Sequence, residues 1–438
     1  MSFSPFDSPM YRDLFGDPDM ARLFSDTGEV RAMMLVLGAL ARAQGRAGVI
    51  PEVSGAFLHR ATMEVLIDPA GLSAGTGQNG VTVPGLVAAM RAALNAPEHA
   101  GYLHWGATSQ DIQDTGLMLR LRQGFALIEA RLIDALRDLA DLAEAEAATP
   151  MAARTYGQVA TPTSFGAMVA GWGWPILRAL ERIRLQTATG FPVSLTGAAG
   201  TSSMLGPDPA LIRAAMAEAL DLRDPGHSWH AERSVIVEMA GLLGAVTTAG
   251  GKMGEDLLIL TRSDVGEAAL AGSGASSTMP QKHNPVGPSV LVALSGYAAA
   301  QVGLLSGLAP REARDGAAWF TEWLSLPQLV AAAGVSARLL KDLSGSITPD
   351  RAAMAGRMTD PLGLIQAEAI SFALAAHMPR PAAQAEIKAM ALRARDTGTP
   401  LPDLVAAAHP ELSLPDPMDM GQAPAEAHAF ARSARAAI

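Results

Sequence analysis

The chain is 438 residues long, 49% apolar yet only 5% aromatic, and only 17% of it is charged. That apolar content excludes intrinsic disorder, and 33 basic against 43 acidic residues, net −10, argue against a nucleic-acid binder. The absence of cysteine excludes a disulfide framework, a thiolate metal site and a cysteine nucleophile.

The length predicts two or three domains. Met1 to Met20 carries Asp7, Arg12, Asp13, Asp17 and Asp19 without an apolar run, so no secretory signal is read there and a cytoplasmic protein is expected. Apolar residues recur at helical spacing from Asp26 to Ala47, with Gly48 and Pro51 as the stop. A long helix is expected over Asp111–Ala148, through Leu117, Leu121, Phe125, Ile128, Leu132, Leu136 and Leu139, with Pro150 ending it. Further helices are expected over Thr163–Thr189, Trp229–Glu255, Pro288–Ser306, Trp319–Leu343 and Leu362–Ala376. No alternating β-branched run with a hairpin turn stands out.

Gly/Pro-rich seams fall at residues 71–85, 191–209, 266–288 and 344–350. Together these features predict an all-α protein of three helical domains, residues 1–105, 106–345 and 346–438, with a central bundle of long helices. Residues 155–177 and 283–310 lack Lys, Arg, Asp and Glu, which raises a membrane span. Their polar residues and internal prolines favour helices apolar all round and buried in the protein or between subunits.

Three blocks carry chemistry. Gly272 to Pro285 starts with small residues and ends with a polar cluster. Lys282 and Asn284 suit a carboxylate, and Ser276 and Ser277 could bring a hydroxyl onto a substrate. On composition alone an ordinary Gly/Ser linker is the simpler reading. In His104-Trp105-Gly106-Ala107-Thr108-Ser109-Gln110-Asp111, with Asp114-Thr115, residues Thr108, Asp111 and Thr115 share one helix face. The helix N-terminus there can hold a carboxylate, while Thr108 or Ser109 can equally serve as a cap. The third block is Arg154-Thr155-Tyr156-Gly157-Gln158-Val159 to Pro162. Arg314, in a polar turn after Pro310, is either another carboxylate ligand or a surface arginine. Trp319 and Trp323, at i and i+4, read as core. No HExxH pair or phosphate-binding Gly-rich loop is present.

The pattern Ser276-x-x-Met279-x-x-Lys282-x-Asn284-Pro285 resembles the signature loop of the fumarase/aspartase superfamily, which includes argininosuccinate and adenylosuccinate lyases. The resemblance implies that Ser276 is the base acting on carbon beside a carboxylate; Ala275 stands where the family usually has Gly. The His104 block is similar to the first conserved region. The Arg154 block is similar to the second, but Val159 replaces the histidine assigned there as general acid. A valine cannot move a proton, and His104, Tyr156 and His230 are the substitutes by type. Trp229-His230-x-Glu232-Arg233, Arg314 through Trp319 and Glu322 to Trp323, and the Gly77–Pro84 stretch most resemble the superfamily's bacterial cycloisomerase branch.

That resemblance implies a cofactor-independent enzyme closing 3-carboxy-cis,cis-muconate to a carboxymuconolactone in protocatechuate breakdown. Ser276 and His104 would be catalytic, and Thr108, Ser109, Gln158, Lys282, Asn284 and Arg314 would bind a small polycarboxylate. It further implies a homotetramer with sites shared between chains, with no nucleic-acid or membrane partner. The alternatives are a superfamily lyase releasing fumarate, a helical assembly protein without activity, and a membrane bundle.

Overall fold

In a computed structural model of the protein, which describes residues 4–272, 274–275, 279 and 282–438, helices dominate and the strands are short. The fold is all-α, as expected. The chain forms two compact units. One comprises the residues up to Ile133 with Arg178–Gly254 and Gly287–Lys341; the other comprises Asp134–Leu177, Glu255–Val286 and Asp342–Ile438.

In the first unit the Asp26–Arg46 helix starts where Ser25 accepts a hydrogen bond from the Gly28 N–H, with Asp26 and Glu29 complementing the helix dipole. Val30, Met33, Met34, Leu37 and Leu40 form its buried stripe and pack with Leu58, Leu86, Met90, Ile112 and Val193. The Glu52–Glu64 helix crosses it closely because both carry glycine at the crossing. A Cβ on Gly55 would lie 2.6 Å from the Ala41 carbonyl oxygen, and one on Gly45 would lie 3.2 Å from the Gly55 Cα. The same device joins Ser234–Leu260 to Val286–Ser306. There a Cβ on Gly251 would meet the Ser295 side chain at 2.6 Å, and one on Gly254 the Pro288 carbonyl at 2.8 Å.

Helices Ser234–Leu260, Val286–Ser306 and Gly316–Ser344 are long and apolar enough to cross a membrane by length and composition alone. In Val286–Ser306 only 28% of the most apolar stretch is buried within the chain, so most of that surface is open in a single copy.

The long helix runs Ser109–Ala145, beginning two residues before the expected start. The Asp111 carboxylate reaches back to accept from the Thr108 N–H at 2.9 Å, one half of a capping box, and so fixes the first turn ahead of it. Phe125, Ile128, Leu132, Leu136 and Leu139 are all fully buried along it.

The second unit holds a feature that the sequence reading did not anticipate. Pro150–Thr155 and Gln158–Ser164 pair antiparallel, with Thr155 opposite Gln158 across a turn made by Tyr156 and Gly157. Those two residues have φ of 53° and 75°, the left-handed pair that a two-residue hairpin requires. A register shift between Ala152 and Arg154 breaks the alternation by which a strand is recognised. Ser164 then accepts from the Ala167 N–H at 3.3 Å, and the helix starts at Phe165 rather than Thr163. In that helix Gly173 leaves room for Phe430 of the Ala423–Ala437 helix; a Cβ there would lie 1.9 Å from the Phe430 Cζ. Ile370, Leu374, Ile387, Leu401 and Val405 form a separate C-terminal core. The expected Leu362–Ala376 helix is shorter, Ala367–Leu374 preceded by one 3-10 turn.

Candidate active site

In the first unit the start of the long helix is locked by one carboxylate. Asp111 is fully buried and accepts four hydrogen bonds. Oδ2 takes the N–H groups of Thr108 and Gly197 at 2.9 Å each; Oδ1 takes the Thr196 N–H at 2.8 Å and His230 Nε2 at 2.9 Å. Donors from the helix start itself and from two distant segments thus converge on one charge, which a low-dielectric interior makes strong. One turn on, the Thr115 hydroxyl donates to the Ser194 carbonyl and accepts the Ser194 N–H. The Gln110 amide joins the same ends, donating to the His230 carbonyl and accepting the Arg314 N–H. With Asp111 taking the capping position, the Thr108 hydroxyl accepts instead from Arg314 Nη1 at 3.1 Å. Thr108, Ser109 and Arg314 are each half-buried.

His104 sits at φ 66°, and a Cβ on Gly106 would fall 2.3 Å from the Met204 carbonyl oxygen, so the chain turns into the helix through strained backbone. The His104 Nε2 is buried without a partner among the described residues. Burial lowers its pKa below the ordinary histidine value; the Thr108 backbone and Asp111 pull the other way, and Arg91 reinforces the lowering. Of the described non-glycine residues at positive φ, Asn95 and Asp221 end helices. His104, Tyr156 and Arg314 lie in or beside the sequence blocks singled out for chemistry, and Ser202 lies in the loop that follows Thr196 and Gly197.

A buried ion triad supports this region. Arg233 donates to Asp114 at 2.7 and 3.2 Å and to Glu322 at 2.8 and 2.6 Å, and its guanidinium stacks 4.7 Å from the Trp229 ring. Burial opposes the Arg233 charge, but the two carboxylates more than offset it and its pKa rises. Burial raises the Glu322 pKa against the pull of Arg233. Trp319 packs 4.8 Å from Trp323 and is buried, in keeping with the core reading.

The second unit holds the remaining expected residues. Gly274–Ala275 pairs antiparallel with His283–Asn284, Gly274 opposite Asn284. Lys282 is exposed and Asn284 half-buried on its strand. Ser276, the expected base, lies outside the described residues. Gln158 and Val159 are exposed near the Tyr156–Gly157 tip, where Tyr156 is fully exposed. Among the described residues no group of three His, Asp or Glu could hold a metal ion.

The structure therefore joins Thr108 to Arg314 within one unit. It also shows partners that sequence reading had not placed: Asp111 as the lock, Thr196 and Gly197 as its donors, and His230 and Arg233 behind them. The only prior signal for Thr196 and Gly197 was the Gly-rich seam at 191–209.

The profile of a protein family described as "Lyase" matches residues 17–300. The 3-carboxy-cis,cis-muconate cycloisomerase of Pseudomonas aeruginosa is 37% identical over 370 residues, covering 83% of this chain and 81% of that protein. A nitrosuccinate lyase of Streptomyces davaonensis is 34% identical over 407 residues, covering 89% of this chain and 85% of that protein. The crystal structure of 3-carboxy-cis,cis-muconate lactonizing enzyme from Pseudomonas putida superimposes with a TM-score of 0.90 at 30% identity, covering 98% of this chain and 100% of that one.

Proposed function

This chain belongs to the fumarase/aspartase superfamily of lyases, and from that premise we propose that it is a cofactor-independent cycloisomerase closing 3-carboxy-cis,cis-muconate to a carboxymuconolactone. The observation that carries the reading is likeness to proteins of that activity, over most of the chain in sequence and nearly all of it in fold.

Ring closure adds one substrate carboxylate oxygen across a conjugated double bond and a proton to the carbon beside another carboxylate. Run backwards it is a β-elimination, the chemistry of the wider superfamily. No electrons leave the substrate, so no redox partner is required. What is required is positive charge and N–H dipoles on the carboxylates as negative charge develops, together with one proton donor at carbon.

Lys282 supplies a cation, and Asn284 and Gln158 supply amides. The N-terminus of the Ser109–Ala145 helix supplies dipoles through Thr108 and Ser109. Arg314, already bonded to the Thr108 hydroxyl, supplies a second cation at that helix end. Ser276 handles the carbon proton in this reading. His104, with Nε2 unpartnered among the described residues, stands in for the histidine that Val159 replaces; burial lowers its pKa, so in this reading it relays a proton from water instead of holding one. The division into helical domains near residues 105 and 345 and cytoplasmic residence belong to the same proposal. So does a homotetramer, in which further copies cover the open apolar surface of the Val286–Ser306 helix.

The test follows the diene absorbance of 3-carboxy-cis,cis-muconate with purified protein. Loss of absorbance with formation of the lactone is expected. A second reading, elimination from a substituted succinate, is favoured by the nitrosuccinate lyase relative. An untouched diene, together with fumarate released from a succinate adduct, would replace the first reading by the second.

A further inference from the structure

The close crossing of Asp26–Arg46 and Glu52–Glu64 has a second product. Gly45 and Gly55 bring the helices so near that side chains on their outer edges share one cleft of about 380 Å³. Arg42 and Arg46, at i and i+4 on the first helix, face Ala56, His59, Arg60 and Met63 on the second, with Glu52 as the one acid. Arg42 Nη1 donates to His59 Nε2 at 3.2 Å, so the imidazole is neutral there.

Among the described residues none of Arg42, Arg46 and Arg60 has a carboxylate within ion-pair distance. Other arginines of this chain do: Arg131 is paired with Asp17, Arg213 with Asp224 and Arg351 with Glu146. Three arginines against one glutamate leave this cleft locally positive in a chain whose net charge is −10. Like charges one helical turn apart also work against folding.

We propose that this cleft binds a small polyanion carrying two or more phosphate or carboxylate groups. The three guanidiniums offer forked donors that match either group. Glu52 at the rim limits the net attraction, which favours a multiply charged ligand over a single chloride or acetate. Met63 and Ala56 add apolar surface to the cleft lining.

His59 couples the site to pH. The charged groups facing it are Arg42 and Arg46 from the neighbouring helix and Arg60 and Glu52 from its own. The Pro97–Ala100 helix also packs on Glu52–Glu64, but its His99 engages Ser54 and Phe57 on another face. Burial and the two facing arginines lower the His59 pKa. A bound anion offsets those arginines and draws a proton onto the ring, so affinity rises as pH falls.

Isothermal titration of the full-length protein with inorganic pyrophosphate and, separately, with citrate tests this, at about pH 6 and pH 8 on either side of the ordinary histidine pKa. Saturable binding that is tighter at the lower pH is expected. Arg46→Gln and Arg42→Gln should each weaken it by about tenfold, and Arg46→Glu should abolish it, with far-UV circular dichroism and basal turnover unchanged. Preference for pyrophosphate assigns the site to phosphate ligands and preference for citrate to carboxylate ligands; either supports the proposal. Absence of saturable binding for both anions, or binding that these variants leave at wild-type strength, overturns it.

Discussion

Asp111→Asn is the sharpest probe of the structure. The carboxylate has two oxygens, each taking two donors: Thr108 and Gly197 N–H on one, Thr196 N–H and His230 Nε2 on the other. An asparagine keeps one oxygen and turns a fresh N–H₂ towards two donors that face it. An amide N–H₂ facing Thr108 and Gly197 loses two hydrogen bonds. One facing Thr196 and His230 loses at least the Thr196 bond, since the imidazole can accept in its other tautomer. At about 1.5–3 kcal/mol each, a loss of about 1.5–6 kcal/mol is expected. The upper end is a large part of the stability of an ordinary domain, about 5–15 kcal/mol. Urea unfolding followed by far-UV circular dichroism measures it. Asp13→Asn serves as the control, because its carboxylate, paired with Arg12, is fully exposed and its loss should leave the unfolding midpoint close to wild type. Glu at position 111 should not rescue, since its extra methylene displaces both oxygens from donors fixed in the backbone. An Asp111→Asn midpoint within error of the Asp13→Asn control would show that this convergence contributes nothing to stability.

Arg233→Met strands Asp114 and Glu322, 1% and 2% exposed, without their cation and should cost about 3–5 kcal/mol. The triple variant Arg233→Met, Asp114→Leu, Glu322→Met should recover most of it; a triple variant less stable than the single would refute the desolvation argument. Ser276→Ala should lower turnover by about 10²–10⁴-fold with helical content intact, and a near-wild-type rate would remove that serine from the mechanism. His104 has a folded-state pKa below its unfolded value, so its contribution is fully present above the ordinary histidine pKa and is lost as pH falls through the lowered one. His409, paired with Glu386 at 2.7 Å, has a raised pKa and the opposite sign: its contribution is present at acid pH and lost as pH rises through the raised value. Unfolding titrations of His104→Gln and His409→Gln should therefore flatten opposite limbs of the stability profile. Limbs that stay as steep as in the wild type would show that neither histidine is the group responsible.

The long helices were readable because their apolar stripes are local: Asp26–Arg46 and Gly316–Ser344 fall within a few residues of the expectation. The hairpin at 150–164 was not. Its alternation is broken by a register shift, Pro162 sits inside it, and its tip is polar and exposed. The site divides the same way. Thr108 and Arg314 were named from sequence, but their hydrogen bond joins residues 206 apart and no local pattern announces it. Asp111 looked like one member of a helix face, and its partners Thr196, Gly197 and His230 are visible only once the chain is folded.

That convergence also orders events in time. The Asp111 carboxylate closes loops of 85, 86 and 119 residues, and Gln110 and Thr108 reach 204 and 206 residues further to Arg314. At a synthesis rate of about 5–20 residues per second, the nascent helix end waits roughly 6–24 s for His230 to be made after Asp111. Through that interval an ionised carboxylate lacks the donors that let it be buried, so this end of the helix stays hydrated while the apolar stripe of Asp26–Arg46 can already collapse. The N-terminal helices are thus free to form early, and the N-terminal end of the long helix sets only after most of the chain has been made.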